Sequence, residues 1–219
     1  MADPSSILRT PDFSMRLIRE RVGGRTARTT LLDASIDSPL DAGGQAPSGK
    51  LRRAAVALII RPDGVQGPEV LFIRRAEHPQ DPWSGHMAFP GGREEPSDGE
   101  LLQTALRETR EEVSLDLGKL ARLLGRLDEL PAVARGRRTG LTIAPFVFEL
   151  TGPAEPQLNG EVAEVVWAPL EPLFQGDRAT TFPYDLAGQQ LELPAHDVAG
   201  RVVWGLTHRM LESLFALLR

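Results

Sequence analysis

The longest apolar run in the chain places the strongest constraint on its fold. Residues 54–60 are all apolar, and Arg61 and then Pro62-Asp63-Gly64 follow them. A short continuous apolar run suits a strand buried on both faces, whereas a membrane span needs about 20 such residues. We therefore expect a strand over residues 54–61, a turn at 62–64, a second strand over 69–74 and no membrane partner.

The later part of the chain mixes strand-like segments with helical ones. Residue patterns predict strands near 122–127, 142–150 and 161–169, followed by a closing helix over 207–219. Thr207 is the expected N-cap of that helix, and the side chains expected to face inward are Met210, Leu211, Leu214 and Leu217. Strands interspersed with helices indicate a layered α/β or α+β domain.

Residues 1–50 differ from the rest of the chain in composition. Phe13, Leu17, Ile18 and Val22 predict one short amphipathic helix, which Gly23-Gly24 would end. From 33 to 50 the residues are mostly Ser, Asp, Gly, Pro and Ala, which is typical of a mobile linker. We expect an N-terminal segment over residues 1–50 and one folded domain over residues 51–219.

Composition and charge exclude several classes of protein. The 219 residues include 30 acidic and 25 basic ones, and the formal net charge of -5 argues against a protein that coats nucleic acid. The absence of cysteine excludes disulfide frameworks and thiol nucleophiles. The first residues lack the basic-then-apolar pattern of a secretion signal, so a cytoplasmic protein is expected. A homodimer is compatible with the sequence, but no feature indicates one.

One helix carries most of the chemical information. Ser97 and Glu100 match a capping box and predict a helix start near Asp98. The core-facing stripe would consist of Leu102, Ala105, Leu106, Thr109 and Val113. On another side, Glu108, Glu111 and Glu112 fall within an arc of about 100°. Carboxylates this close repel one another, so they indicate either a site for Mg²⁺ or Mn²⁺ or a solvated acidic helix face.

The surroundings of these glutamates favour the metal site. Gly91-Gly92 is followed, after fourteen residues, by Arg107-Glu108-Thr109-Arg110-Glu111-Glu112. This arrangement resembles the signature of the Nudix hydrolases, which implies a Nudix-type α/β/α sandwich with a mixed β-sheet. Three features depart from the usual signature: a spacer one residue longer, Asp98 where a glutamate is usual, and Thr109 and Ser114 in place of an apolar residue and a glycine.

Further segments resemble the coenzyme A pyrophosphatase branch of that family. They are Phe89-Pro90-Gly91-Gly92, 96–98, 104–108, 161–170 and 203–207. The branch also has an Arg- and Ser-containing motif upstream, followed by a second arginine and a glycine. Arg74 and Arg75 match its first part and Gly85 matches the glycine, whereas residues 81–84 stand where the second arginine is expected. The resemblance implies hydrolysis of coenzyme A or an acyl-coenzyme A to adenosine 3′,5′-bisphosphate and a phosphopantetheine. The alternatives are a broader nucleoside diphosphate hydrolase, acting on ADP-ribose or other nucleotides, and a non-catalytic nucleotide-binding Nudix fold.

The resemblance also implies roles for particular residues. The catalytic residues would be Glu111, Arg107 and Glu108, and the metal ligands Gly91 (through its carbonyl), Glu108, Glu111 and Glu112. Arg107 would orient a carboxylate and pair with Asp98. Glu111 is the first candidate for the general base, with Glu161 or Glu164 as alternatives.

Other residues have both a functional and a structural interpretation. Arg135, Arg137 and Arg138 form either a grip for a terminal phosphate or a generic basic loop. His86 either donates to phosphate or is structural, and Trp83 either stacks on a base or anchors its loop. Trp167 and Trp204 are assigned to core packing, whereas His78, His196 and His208 are far apart in sequence and indicate no site.

Overall fold

A computed structural model describes residues 13–24, 52–79, 83–134 and 137–219, with backbone alone at 134, 137 and 138. The first strands and helices are α1 (Met15–Gly23), β1 (Arg52–Gly64), β2 (Gly67–Arg75), β3 (Met87–Ala88), β4 (Gly91–Arg93), α2 (Leu101–Val113) and α3 (Leu117–Leu120). The later ones are β5 (Ala121–Arg126), β6 (Leu130–Ala134), β7 (Arg137–Leu150), β8 (Val162–Pro169), α4 (Leu170–Gln175), β9 (Ala179–Leu186), β10 (Gln189–Val198), β11 (Arg201–Trp204) and α5 (Gly205–Leu218). The predicted linker over 33–50 lies outside the described residues.

A mixed sheet forms the centre of the molecule. Its main path runs β3-β2-β1-β7-β5, while β4 pairs with β1, β6 with β7 and β8 with β2. The pairing of β1 with β7 is parallel, and the pairings of β1 with β2 and β4 are antiparallel. The second sheet, β9-β10-β11, is antiparallel and lies outside the strands that the sequence predicted.

Strand β1 is buried on both faces, as its apolar run predicts. Val56, Leu58 and Ile60 belong to a core with residues of α1, α4 and α5, whereas Ala55, Ala57 and Ile59 belong to a core with residues of α2 and α3. Successive side chains of a strand point to opposite faces, so one apolar strand contributes to two cores. The helices therefore cover both faces of the sheet, which confirms the α/β/α sandwich.

The N-terminal helix is part of this packed structure. The predicted helix forms as α1, with Ser14 as N-cap and Gly24 as C-cap. Ile18 and Val22 are buried in the same core as β1, and α1 packs against α5 and β5. Residues 13–24 thus share the core of the domain that the sequence placed from residue 51 onwards.

Local details differ from the predictions at three places. The turn lies at residues 65–66 because β1 continues to Gly64, with a register shift after Arg61 that accommodates Pro62. Helix α2 begins at Leu101 with Glu100 as N-cap and no side-chain cap, so the predicted capping box is wrong. Helix α5 begins at Gly205, and Thr207 donates its hydroxyl to the Met87 carbonyl instead of capping the helix. No helix among the described residues is long and apolar enough to cross a membrane.

Candidate active site

Helix α2 presents its glutamates to the glycines of β4. Leu101, Ala105 and Val113 bury the apolar side of the helix in the core that it shares with β1. One turn apart on another side, Glu108 and Glu112 reach Gly91 and Gly92. Packing of the helix against the sheet thus fixes where these carboxylates lie.

Glu112 is a buried carboxylate. The residue is 2% exposed, and its Oε2 accepts a hydrogen bond of 2.9 Å from the Gly91 backbone N–H. Burial raises the pKa of Glu112 to about 7, opposed by the Gly91 hydrogen bond and by Arg75 and assisted by Glu108 and Glu161. Arg75 favours the ionised form of Glu112 but does not offset burial, so a further positive charge would favour ionisation.

The two glycines leave room that any side chain would fill. A Cβ at Gly92 would lie 2.4 Å from Glu108 Oε1, so this carboxylate rests against the glycine backbone. A Cβ at Gly91 would lie 2.3 Å from the Ala55 carbonyl oxygen and 2.6 Å from Val56 Cα. Gly91 therefore permits the close approach of β4 to β1, and Gly92 makes room for Glu108.

Arg107 organises the acidic groups around it. Its Nε and Nη2 donate to the two oxygens of Asp98 at 2.8 and 3.0 Å, and Nη2 also donates to the Arg93 carbonyl at 3.0 Å. Its Nη1 donates to Glu108 at 2.9 Å and to Glu111 at 3.1 Å. These bonds engage every N–H that a guanidinium offers, so Arg107 is held in one orientation.

Asp98 is the partner of Arg107, as predicted. Its carboxylate also accepts from the Thr104 hydroxyl at 2.8 Å and the Glu95 backbone N–H at 2.9 Å. The Arg107 guanidinium, together with these donors, holds the pKa of Asp98 well below its usual range. Asp98 lies three residues before α2 starts, and its carboxylate is bound to Thr104 and Arg107 of that helix.

Glu108 and Glu111 share one nitrogen of Arg107 but differ in environment. Burial raises the pKa of Glu108 against the opposing effect of Arg107, and Glu111 and Glu161 raise it further. The Glu108 side chain is 16% exposed, whereas that of Glu111 is 51% exposed. Glu111 is therefore the member of the group that solvent reaches.

These oxygen donors fit a divalent cation. The hydrogen-bond donor described for the buried Glu112 carboxylate is the uncharged N–H of Gly91. Glu108 lies close enough to raise the pKa of Glu112. A bound cation would neutralise the repulsion between the carboxylates, and Mg²⁺ and Mn²⁺ prefer such ligands.

Two of the α2 carboxylates line a cavity of about 710 Å³. Glu108 and Glu112 line it together with Glu161, Gly91 and Arg75. Three aromatic residues, called here the aromatic wall, line the same cavity: Phe182, Tyr184 and Trp204. Phe182 stacks on Trp204 with ring centroids 4.0 Å apart and planes at 8°, and Tyr184 lies 5.6 Å from Trp204. The cavity thus combines carboxylate and aromatic lining.

Comparison with known proteins identifies the fold of this site. The NUDIX domain model matches residues 50–186. The chain belongs to the Nudix family.

Curated relatives agree with that assignment, and a solved structure has a similar fold. A Yersinia pestis protein, described as an uncharacterized Nudix hydrolase and named NudL, is 32% identical over 168 residues, covering 74% of this chain and 78% of its own. An uncharacterized Schizosaccharomyces pombe protein is 37% identical over 159 residues, and the chain spans 48% of its length. The crystal structure of a NUDIX hydrolase from Alicyclobacillus acidocaldarius matches with a TM-score of 0.50 and 21% identity, covering 77% of this chain and 93% of that one. As a member of the family the chain is a pyrophosphohydrolase, and Nudix hydrolases generally need a divalent metal such as Mg²⁺ or Mn²⁺.

Two of the three departures from the usual Nudix signature have structural explanations. Ser114 adopts the left-handed conformation at the end of α2, with φ 58°, which is the conformation that makes glycine usual there. Thr109 is buried, and its hydroxyl donates to the Ala105 carbonyl at 2.7 Å, so it replaces an apolar residue without an unpaired polar group. Asp98, one carbon shorter than glutamate, reaches Arg107 with both oxygens.

The structure brings some of the other predicted residues to the cavity. Trp83 and His86 line it, and the His86 ring lies 5.0 Å from Trp204. Trp204, predicted to pack in the core, instead forms part of the cavity wall, because β11 pairs with β10 at the edge of the second sheet. Trp167 lies elsewhere, beneath the Arg61 guanidinium.

Other predicted residues lie apart from the cavity or outside the described residues. Glu164 pairs with Arg74 and Arg201 at 3.3 and 3.1 Å. Arg135 is not described, and of Arg137 and Arg138 the structure describes the backbone, which belongs to β7. The predicted ligand role of the Gly91 carbonyl stays a prediction.

Sequence reasoning missed the aromatic wall and one histidine cluster. Phe182 and Tyr184 alternate along β9, a spacing of two that places both on one face of a strand and was available as a signal. His196, His208 and Glu212 each offer a ligand atom within 4.8 Å of the others, although two of them were predicted to form no site. Burial and His196 lower the pKa of His208 to about 4, so its ring is neutral at physiological pH.

Proposed function

We propose that this chain hydrolyses the pyrophosphate of a nucleoside diphosphate linked to another group, with coenzyme A or an acyl-coenzyme A as its substrate. The products would be adenosine 3′,5′-bisphosphate and the corresponding phosphopantetheine. One observation carries the proposal: the buried carboxylates of α2 and the aromatic wall line the same cavity. A nucleotide diphosphate has the matching chemistry, with a polyanionic centre beside a flat base.

The α2 carboxylates provide the charge balance that this reaction needs. Linked phosphates repel an anionic nucleophile until their charge is neutralised. Glu108, Glu111, Glu112 and the Gly91 carbonyl would hold Mg²⁺ or Mn²⁺, which when bound neutralises phosphate oxygens and lowers the pKa of coordinated water.

Arg107 acts in this proposal as a positioning residue. All of its N–H groups are engaged by protein oxygens, so it has none left for substrate. Its contribution is to fix Glu108 and Glu111 relative to β4, since ligands held in place by a surrounding hydrogen-bond network bind metals more tightly.

Glu111 is our proposed general base. It is the solvent-reached member of the carboxylate group, so it can accept a proton from an attacking water and release it to bulk solvent. Glu161 is the alternative because it lines the cavity with Glu108 and Glu112. Glu164 is not proposed, because its carboxylate is paired with both Arg74 and Arg201.

The aromatic lining of the cavity supports recognition of the nucleotide. The aromatic wall offers a flat apolar surface for a base, with Trp83 and His86 beside it. In the register of β6 and β7, Arg138 lies opposite Val133, which lines the cavity. This placement supports our proposal that Arg135, Arg137 and Arg138 bind a terminal phosphate, such as the 3′-phosphate of coenzyme A.

A substrate panel tests the proposal. Coenzyme A, 3′-dephospho-coenzyme A, ADP-ribose and a dinucleoside polyphosphate are incubated with Mg²⁺ or Mn²⁺, and product masses are recorded. We expect the highest kcat/KM for coenzyme A, cleavage between its two linked phosphates, and a lower kcat/KM for the 3′-dephospho form. No turnover of coenzyme A beside rapid cleavage of another diphosphate would overturn the choice of substrate, and binding without any turnover would indicate a non-catalytic nucleotide-binding protein.

A further inference from the structure

A second group of ligand atoms lies between β10 and α5. His208 and Glu212 are four residues apart on α5 and so lie on the same side of the helix. His196 on β10 faces them, and its Nε2 lies 3.2 Å from Glu212 Oε1. One ligand atom from each residue lies within 4.8 Å of the other two. Strand β10 and helix α5, which β11 separates in the chain, thus meet at two imidazoles and a carboxylate.

His196 has an unsatisfied polar atom in this group. The residue is 4% exposed, and its buried Nδ1 has no hydrogen-bond partner among the residues that the structure describes. Buried polar atoms in folded proteins are nearly always paired, and an exception needs an explanation. The other ring nitrogen, Nε2, is the one that faces Glu212, and a neutral imidazole nitrogen is a common metal ligand.

We propose that His196, His208 and Glu212 form a site for a divalent transition-metal ion of the Zn²⁺ type, separate from the α2 carboxylates. Imidazole nitrogens and one carboxylate suit Zn²⁺ and its neighbours in the transition series, whereas Mg²⁺ and Ca²⁺ prefer all-oxygen sites. Two His and one Glu match a known tetrahedral zinc donor set, and the fourth position remains for water.

The distances are compatible with such an ion. With Zn–N and Zn–O bonds of about 2.0–2.2 Å, tetrahedral ligand atoms lie about 3.3 Å apart, close to the 3.2 Å between His196 Nε2 and Glu212 Oε1. The ligand atoms of the three residues lie as much as 4.8 Å apart, so side-chain rotation must bring them closer together when the ion binds. Arg219 lies 3.5 Å from Glu212 and is more than half exposed, so it can move away.

The site would reinforce the aromatic wall. Thr207 and Met210 of α5 line the cavity, whereas His208 and Glu212 are not among its lining residues. On β10, His196 follows Ala195, whose register partner is Trp204 of the aromatic wall. An ion joining β10 to α5 would therefore hold β10, the strand that pairs with Trp204 of β11, against the helix.

Metal binding to the full-length protein tests the proposal. Protein freed of metal with a chelator is titrated with Zn²⁺ against a chromophoric competitor, and with Co²⁺ while the visible absorption of tetrahedral Co²⁺ is recorded. His208→Ala and Glu212→Gln remove ligands, and His78→Ala removes an exposed imidazole as the matched control. A Glu111→Gln/Glu112→Gln double variant removes α2 carboxylates. Circular dichroism checks the folding of each variant, and if His208→Ala fails to fold, Glu212→Gln decides.

We expect one tight equivalent of Zn²⁺ and a tetrahedral Co²⁺ spectrum for the parent protein, His78→Ala and the double variant. His208→Ala and Glu212→Gln should bind Zn²⁺ more weakly, by more than the roughly 10- to 100-fold typical of losing an outer hydrogen-bond partner. The proposal is overturned if the parent protein binds no tight equivalent, if both ligand variants bind as the parent does, or if the double variant loses the tight equivalent.

Discussion

Gly92→Ala is expected to impair catalysis with little effect on folding. The added Cβ would lie 2.4 Å from Glu108 Oε1, and ordinary contact begins at 3.4 Å. The Glu108 carboxylate must therefore shift by about 1 Å, and misplacement of a catalytic group by about 1 Å costs on the order of 100-fold in rate. This loss corresponds to about 2.7 kcal/mol of transition-state stabilisation. The clashing atoms belong to the end of a flexible side chain, so the backbone can remain in place.

Gly91→Ala is the matched comparison for this experiment. There the Cβ would meet the Ala55 carbonyl and Val56 Cα, which are backbone atoms of the central strand and cannot move independently. Steady-state kcat/KM on the best panel substrate and thermal unfolding are measured for both variants. We expect Gly92→Ala to lose activity at nearly the parent melting temperature and Gly91→Ala to lose stability. Full activity in Gly92→Ala would refute the assigned position of Glu108.

Three further variants or conditions follow from the same structure. Asp98→Asn should make the stability less sensitive to acid. Because the pKa of Asp98 is lowered in the folded protein, its ionised carboxylate stabilises the fold at pH values above its ordinary pKa of 3.8, and this contribution is lost as the pH falls below 3.8. The free energy of unfolding should therefore decline less between pH 6 and pH 3 in the variant than in the parent. The pKa of Glu112 is about 7 without a cation, and a cation binds only the ionised carboxylate. Mg²⁺ should therefore raise the melting temperature more at pH 8 than at pH 6. Equal shifts of the melting temperature at both pH values would contradict this prediction. Trp204→Leu should raise KM by roughly 10-fold with little change in kcat, because stacking of a base on an aromatic ring is worth about 1–3 kcal/mol. Trp167 does not line the cavity, so the control Trp167→Leu should leave KM unchanged.

The predictable parts of the structure are those fixed by local spacing. The apolar run at 54–60 was enough to predict a strand with two buried faces, because the side chains of residues 55–60 alternate between the two cores on either side of the sheet. The three glutamates of α2 and the pairing of Arg107 with Asp98 followed from helical periodicity and from the family signature.

The unpredicted parts depend on contacts between distant segments. The capping box of Ser97 and Glu100 failed because residues 96–98 form a turn and α2 begins only at Leu101, so Glu100 is itself the N-cap. Strands β9 and β10 are mostly exposed or half-buried, so their hydrophobic pattern is weak. His196 and His208 are twelve residues apart in sequence, and only the return of the chain from β10 through β11 into α5 brings their rings to 4.9 Å.

The central claim is that the α2 carboxylates carry out pyrophosphate hydrolysis. Its most direct test is the rate of coenzyme A cleavage by the Glu111→Gln/Glu112→Gln double variant, with folding verified by circular dichroism. Glutamine at 112 can still accept the Gly91 hydrogen bond, so the change removes charge without removing the backbone contact. We predict a loss of more than about 100-fold in kcat, in line with the loss of one electrostatic catalytic group. An unchanged rate in the folded double variant would contradict the account.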